Sequence, residues 1–201
     1  MSQTNTNMSA AEAWKALIEK YSLQYTSINL EELCEVRKNT NILTDDNQDN
    51  TDIPFIQANS MDRIISLLEN MYDNPLTPSQ ITELMDFEPR QSDYYYNAGR
   101  YLGLFEKQTE DGSVLVHLTE LGCRVFRMNY KERQLKLVSL ILEHEIFAQY
   151  FDYVVENGEL PEQKDIQKTM QKLNVCSNNL VVRRASSVLG WLKWIFNLPN
   201  L

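Results

Sequence analysis

The sequence predicts a mostly α-helical fold with one small β-hairpin, arranged as a winged helix-turn-helix followed by a second helical, helix-turn-helix-like domain. Three observations lead there. Apolar residues recur at helical spacing through most of the 201-residue chain. Pro and Gly stand where helices should open and stop. One stretch of strand-like sequence, directly after three closely spaced helices, carries an Asp-Gly turn.

Taken in order, Ala10 to Tyr21 places Ala13, Trp14, Leu17, Ile18 and Tyr21 on one helical stripe, with Ser9 as its N-cap. Leu30 to Arg37 reads as a second short helix, and Asn39 to Thr51 is nearly all Asn, Asp, Thr and Gln, with little to bury. Residues 1–38 are therefore read as a helical extension and 39–59 as a polar linker, so that a chain lacking residues 1–52 is expected to keep its main fold. From Ser60, the apolar residues Ile64, Ile65, Leu67, Leu68 and Met71 make a helix face that Asp73-Asn74-Pro75 stops. Thr77 as N-cap and Pro78 at the first helical position open the next helix, which ends near Phe87. Pro89 starts a third helix that runs through Tyr101 to a stop at Gly103. Two apolar runs, Leu104 to Lys107 and Val114 to Leu118, flank Asp111-Gly112, the signature of a tight hairpin and hence of a wing. Residues 60–127 form the predicted winged domain, which closes with a helix around Cys123, Val125 and Phe126. The remainder, 128–201, reads as a long helix from Lys131 to Asn157 with a break near His144, a shorter one at Asp165–Leu173, a turn, and a last helix at Asn179–Phe196. That order repeats the first domain without its wing.

Composition narrows the function classes. A 43% apolar content is enough for a core, no run of 18 apolar residues occurs, and the polar N-terminus lacks the layout of a signal peptide, which together predict a cytoplasmic protein off the membrane. Cys34, Cys123 and Cys176 are odd in number and widely separated, so they read as free thiols rather than a disulfide or zinc framework. The net charge of −9 argues against coating nucleic acid nonspecifically. Its distribution is uneven, because residues 166–201 carry Lys168, Lys172, Arg183, Arg184 and Lys193 and no acid at all.

The stretch Leu76-Thr77-Pro78-Ser79-Gln80-Ile81, then Phe87-Glu88-Pro89-Arg90-Gln91, Tyr94-Tyr95, Ala98 and Arg100-Tyr101-Leu102-Gly103-Leu104 resembles a bacterial winged-helix module. That module accompanies restriction-modification and other phage-defence proteins. Val182-Arg183-Arg184-Ala185-Ser186-Ser187-Val188 with Trp191 and Trp194 resembles its ending, so the similarity covers about residues 60–197. The resemblance implies a DNA-reading or protein-docking accessory, and no catalytic residues.

Two sets of residues fit nucleic-acid contact. On the third helix, Arg90, Gln91, Ser92, Tyr94, Asn97 and Arg100 offer guanidinium, amide and hydroxyl groups where recognition helices enter the major groove. Glu88 and Asp93 oppose them through phosphate repulsion, and the wing offers Lys107 against Glu106, Glu110 and Asp111. In the final helix Arg183, Ser186, Gly190, Lys193 and Asn197 share a basic face, while Asn178 and Asn179 at its start cap the helix or meet phosphate. Being free of acids, this second set is expected to make the stronger contact, with Arg183 and Lys193 outweighing Arg90 and Arg100. Trp191, Trp194 and Phe196 read as core.

Enzyme readings find no purchase. Glu162-Gln163-Lys164 is the nearest approach to a nuclease spacing, but Pro161 puts it at a helix start; His117 and His144 lack partners at ligand spacing, and there is no Gly-rich phosphate loop. No cofactor, metal or catalytic residue is expected. The partner expected is double-stranded DNA, the alternative being a protein encoded nearby that uses the same fold as an adaptor surface.

Overall fold

Side-chain caps decide where most of the helices begin. The computed structural model describes residues 26–43 and 52–200, together with Ser9, Glu12, Ala13 and Ala16. Trp14, Leu17, Ile18 and Tyr21 of the helix expected over 10–21 lie outside the described residues, as does most of the polar stretch. Helix α1 (Leu30–Asn39) opens at Asn29, whose side chain accepts from the Glu32 N–H while Glu32 reaches back to the Asn29 N–H. Ser60 caps α2 (Met61–Asn70), and Thr77 with Gln80 makes a reciprocal cap for α3 (Pro78–Leu84). Helix α4 (Pro89–Tyr101) begins at its proline, as the sequence predicts.

The hairpin follows directly. Strands β1 (Phe105–Glu110) and β2 (Ser113–Leu118) pair antiparallel from Phe105 with Leu118 to Glu110 with Ser113. Asp111 and Gly112 both have positive φ, 47° and 78°, the two-residue loop whose twist matches its strands. Leu76, just ahead of α3, exchanges backbone bonds of 3.1 and 2.8 Å with Val116 and so anchors the hairpin. Then come α5 (Glu120–Arg127), α6 (Tyr130–Leu142), α7 (Glu145–Asn157), α8 (Gln163–Leu173) and α9 (Asn178–Asn197), with a closing 3₁₀ turn. The break between α6 and α7 falls at Glu143-His144, and Asn174 ends α8 with a φ of 52°.

One continuous core crosses the boundary expected at 127/128. Tyr101 of α4 stacks on His144 at 3.7 Å and meets Trp191 of α9 edge-on at 6.2 Å, while Trp191 stacks on Phe147 of α7 at 5.4 Å. Trp191 is wholly buried, and truncating an aromatic of that kind costs about 3–5 kcal/mol. The α4–α9 relation is thus fixed from inside.

The reading of 39–59 as a polar linker needs correction. Phe55, Ile56 and Ala58 are at most 2% exposed and belong to the core, as do Ile28 and Leu33 from further upstream. The buried Trp191 indole N–H donates to the Ala58 carbonyl at 3.0 Å. Residues 52–60 are a strap laid over α4 and α9. Removing residues 1–52 would take Ile28 and Leu33 out of the core.

Candidate nucleic-acid interface

Helix α4 splits cleanly by burial. Ser92, Tyr95, Tyr96, Ala98, Gly99 and Tyr101 face inward, whereas Arg90 and Asp93 are exposed and Gln91, Tyr94, Asn97 and Arg100 are half-exposed. Ser92 therefore leaves the candidate set: it is 3% exposed and its hydroxyl donates to the Pro89 carbonyl at 3.0 Å. Its position, two residues on from Arg90, turns it some 200° round the helix and into the core. Gln91 is partly committed as well, since its carbonyl oxygen accepts from the Glu88 N–H at 2.8 Å. A bidentate reading of adenine by Gln91 would have to break that cap. Arg100 donates to the Asp52 carbonyl at 3.4 Å, at the start of the strap.

The acidic objection to α4 is partly answered by its own hairpin. Lys107 Nζ pairs with Asp93 at 3.2 Å and lies 4.2 Å from the centroid of Tyr96. The hairpin's lysine thus offsets a carboxylate on the helix instead of reaching outward. Glu106, Glu110 and Asp111 stay exposed, and so does Glu88.

On α9 the residues Asn178, Asn179, Arg183, Ser186 and Lys193 are all exposed. Among the described residues the Ser177 hydroxyl contacts Asn179 Oδ1 at 2.7 Å, and the Ser186 hydroxyl donates to the Arg183 carbonyl at 2.7 Å. The basic face expected from Arg183 to Asn197 is not continuous. The strap crosses it at Gly190, where a Cβ would stand 2.5 Å from the Asn59 carbonyl oxygen. Two recesses result: one of about 420 Å³ holds Arg183 and Ser186, and another of about 370 Å³ holds Lys193 and Asn197 beside Asp62. Arg184, one position round from Arg183, is half-buried beside Cys176, and burial lowers the guanidinium and raises the thiol from their ordinary values.

The first recess joins the two sequence-predicted sets. Arg90, Gln91 and Tyr94 line it from α4, Arg183 and Ser186 from α9, and Gln57 and Asn59 from the strap. Arg183 Nη2 lies 3.4 Å from the Tyr94 hydroxyl and its guanidinium carbon 5.5 Å from the Tyr94 ring centroid. Asn97 and Arg100 continue the α4 stripe away from it, and Lys193 stands on the far side of the strap. Gln57 and Asn59 were missed by sequence reasoning. Their one signal was the apolar run Ile53-Pro54-Phe55-Ile56 beside them, too short to show a period.

Among the described residues, no cluster of three His, Cys, Asp or Glu is placed to hold a metal ion, and no helix is long and apolar enough to cross a membrane. Cys34, Cys123 and Cys176 are free. Residues 63–200 match the model of a family described as a domain of unknown function, DUF7226. No curated protein and no solved structure matches the chain. The matched segment takes in α4 and α9 together and leaves the strap and α1 ahead of it.

Proposed function

We propose, for a chain that belongs to the DUF7226 family, that it binds double-stranded DNA as a non-catalytic accessory or regulator of the kind found beside restriction-modification and phage-defence systems. In this reading α2, α3, α4 and the hairpin are a winged helix-turn-helix with α4 as recognition helix, and α8 with α9 is its wingless counterpart. The observation that carries the proposal is the meeting of Arg183 with Tyr94, which merges two separately legible cationic sets into one outward face. Arg90, Arg183 and Arg100 supply charge, and Tyr94, Asn97 and Ser186 supply neutral polar groups of the kind that bond phosphates and base edges.

The net charge of −9 does not decide the matter. Screening at 0.1 M salt acts over about 10 Å, so acids beyond that range count little once a duplex is in contact, and Glu88, which lines the same recess, is the acid that Arg90 and Arg183 must offset. The same charge slows the approach from a distance.

Anisotropy of a labelled duplex titrated with the full chain at rising KCl tests the proposal. The affinity should fall steeply with salt, and Arg90→Ala with Arg183→Ala should flatten the slope by about one unit per lost phosphate contact. Absence of duplex binding at low salt would overturn it. A second reading, a protein-docking adaptor, is favoured by the exposed acids of the hairpin and by Val114, 44% exposed on β2. Under that reading hairpin substitutions, and not Arg90 and Arg183, would abolish binding to the protein product of a neighbouring gene.

A further inference from the structure

The strap does more than close the core. Its backbone is fixed to α9 at two successive residues, by the Trp191 bond to Ala58 and by the close approach of Asn59 to Gly190. Its preceding pair, Phe55 and Ile56, is buried. Gln57, held between these anchors, turns its amide toward Arg183. With the carbonyl oxygen facing the guanidinium, that oxygen lies 3.2 Å from Nη1, 3.0 Å from Nη2 and 3.2 Å from Nε.

Near-equal distances to all three nitrogens have a single geometric meaning. The oxygen sits over the face of the planar guanidinium, above its central carbon, and not at an edge, where one nitrogen would be far more distant. Guanidinium N–H bonds lie in the plane. Gln57 therefore steadies the group without consuming the N–H fork that binds phosphate or guanine in two parallel bonds. Tyr94 supports the same guanidinium from α4, its ring 5.5 Å from the central carbon and its hydroxyl accepting one Nη2 N–H at 3.4 Å, which leaves the other N–H groups for a ligand.

We propose that Gln57 is a positioning residue of the nucleic-acid face, which holds Arg183 by its flat side and presents its N–H edge to the ligand. This rests on the DNA reading for its ligand but not for its geometry. An arginine on a free stem gives up rotamer freedom each time it engages a phosphate, and one already held gives up less.

The test uses Gln57→Met, which keeps length and packing while removing the oxygen, and Gln57→Glu, which adds a charge that competes with the ligand. In the full chain, Gln57→Met should weaken duplex binding about fivefold, the scale of the rotamer freedom one long side chain gives up when it is immobilised, and Gln57→Glu should weaken it further. Placed on Arg183→Ala, Gln57→Met should have no further effect, because it acts through that arginine. An equal loss on both backgrounds would overturn the proposal, as would wild-type affinity in Gln57→Met. The geometry has its own readout in the Nε–Hε signal of Arg183 by NMR, which should be ordered in the parent and averaged in Gln57→Met. An ordered signal in a parent that binds no duplex would retire the ligand and keep the positioning role; a signal indifferent to Gln57→Met would retire the role itself.

Discussion

Asn59 and Gly190 show how one missing methyl group allows a strap to lie on a helix. The Asn59 carbonyl oxygen occupies the space of the side chain that Gly190 lacks, with a built Cβ only 2.5 Å away, and the obstructing atom is backbone that cannot rotate aside. Replacement by Ala must lift the strap, and overpacking of this sort costs about 1–3 kcal/mol. For a chain of this size each kcal/mol lowers the melting temperature by about 2–4 °C. Gly190→Ala should therefore melt roughly 2–12 °C below the parent in a calorimetric scan. A parental melting temperature would mean that the strap yields at no cost. In the sequence, Gly190 looked like a neutral member of a basic face, since a glycine that admits a distant carbonyl leaves no local pattern. Ser92 misled in the opposite sense: its chemistry suited DNA, but its place on the helix, set by the buried Tyr95, Tyr96 and Gly99, turned it inward.

At the scale of elements, α1 shows how a short upstream helix is tied to the matched family segment. It lies along α6 and α7, with Leu33 buried and with ion pairs from Glu32 to Lys131 at 2.6 Å and from Arg37 to Asp152 at 2.8 Å. The hydrogen bond from Lys131 is the largest influence on the Glu32 carboxyl and holds it below its ordinary value. A depressed carboxyl stabilises the fold above its unfolded value, and the contribution disappears as pH falls through the folded one. Glu32→Gln removes the charge while leaving an oxygen for the cap on Asn29. Half-exposed pairs contribute about 0.2–1 kcal/mol, so the variant should melt about 0.4–4 °C lower at neutral pH. That gap should close as pH falls from the ordinary glutamate range through the lowered folded value, and a gap that persists below both would place the effect in the cap instead. Helix starts and the hairpin were legible because Thr77-Pro78, Glu88-Pro89 and Asp111-Gly112 act on their nearest neighbours. The docking of α1 and the strap depends on partners more than a hundred residues away, such as Asp152 for Arg37 and Trp191 for Ala58. No window of local sequence contains both members of such a pair.

The whole molecule limits what the proposed face can read. Recognition helices that serve two half-sites stand about one helical turn apart, roughly 34 Å along the duplex. Here α4 and α9 meet at 3.4 Å through Tyr94 and Arg183 and are joined beneath by the Tyr101–Trp191 contact, so they cannot separate without opening the core. A major groove about 12 Å wide admits one helix, which leaves the second to flank it on the adjoining backbone. One protein molecule should therefore cover one uninterrupted stretch of about one helical turn. In an anisotropy series on duplexes of increasing length, affinity should rise until about 12–15 base pairs are available, little more than one turn of 10–10.5 base pairs. Beyond that length it should grow only with the number of registers a longer duplex offers. A further steep gain between about 15 and 30 base pairs, after correction for registers and at one protein per duplex, would require two separated contact regions. Such a gain would assign Lys193, on the far side of the strap, to a second contact and not to the edge of the first.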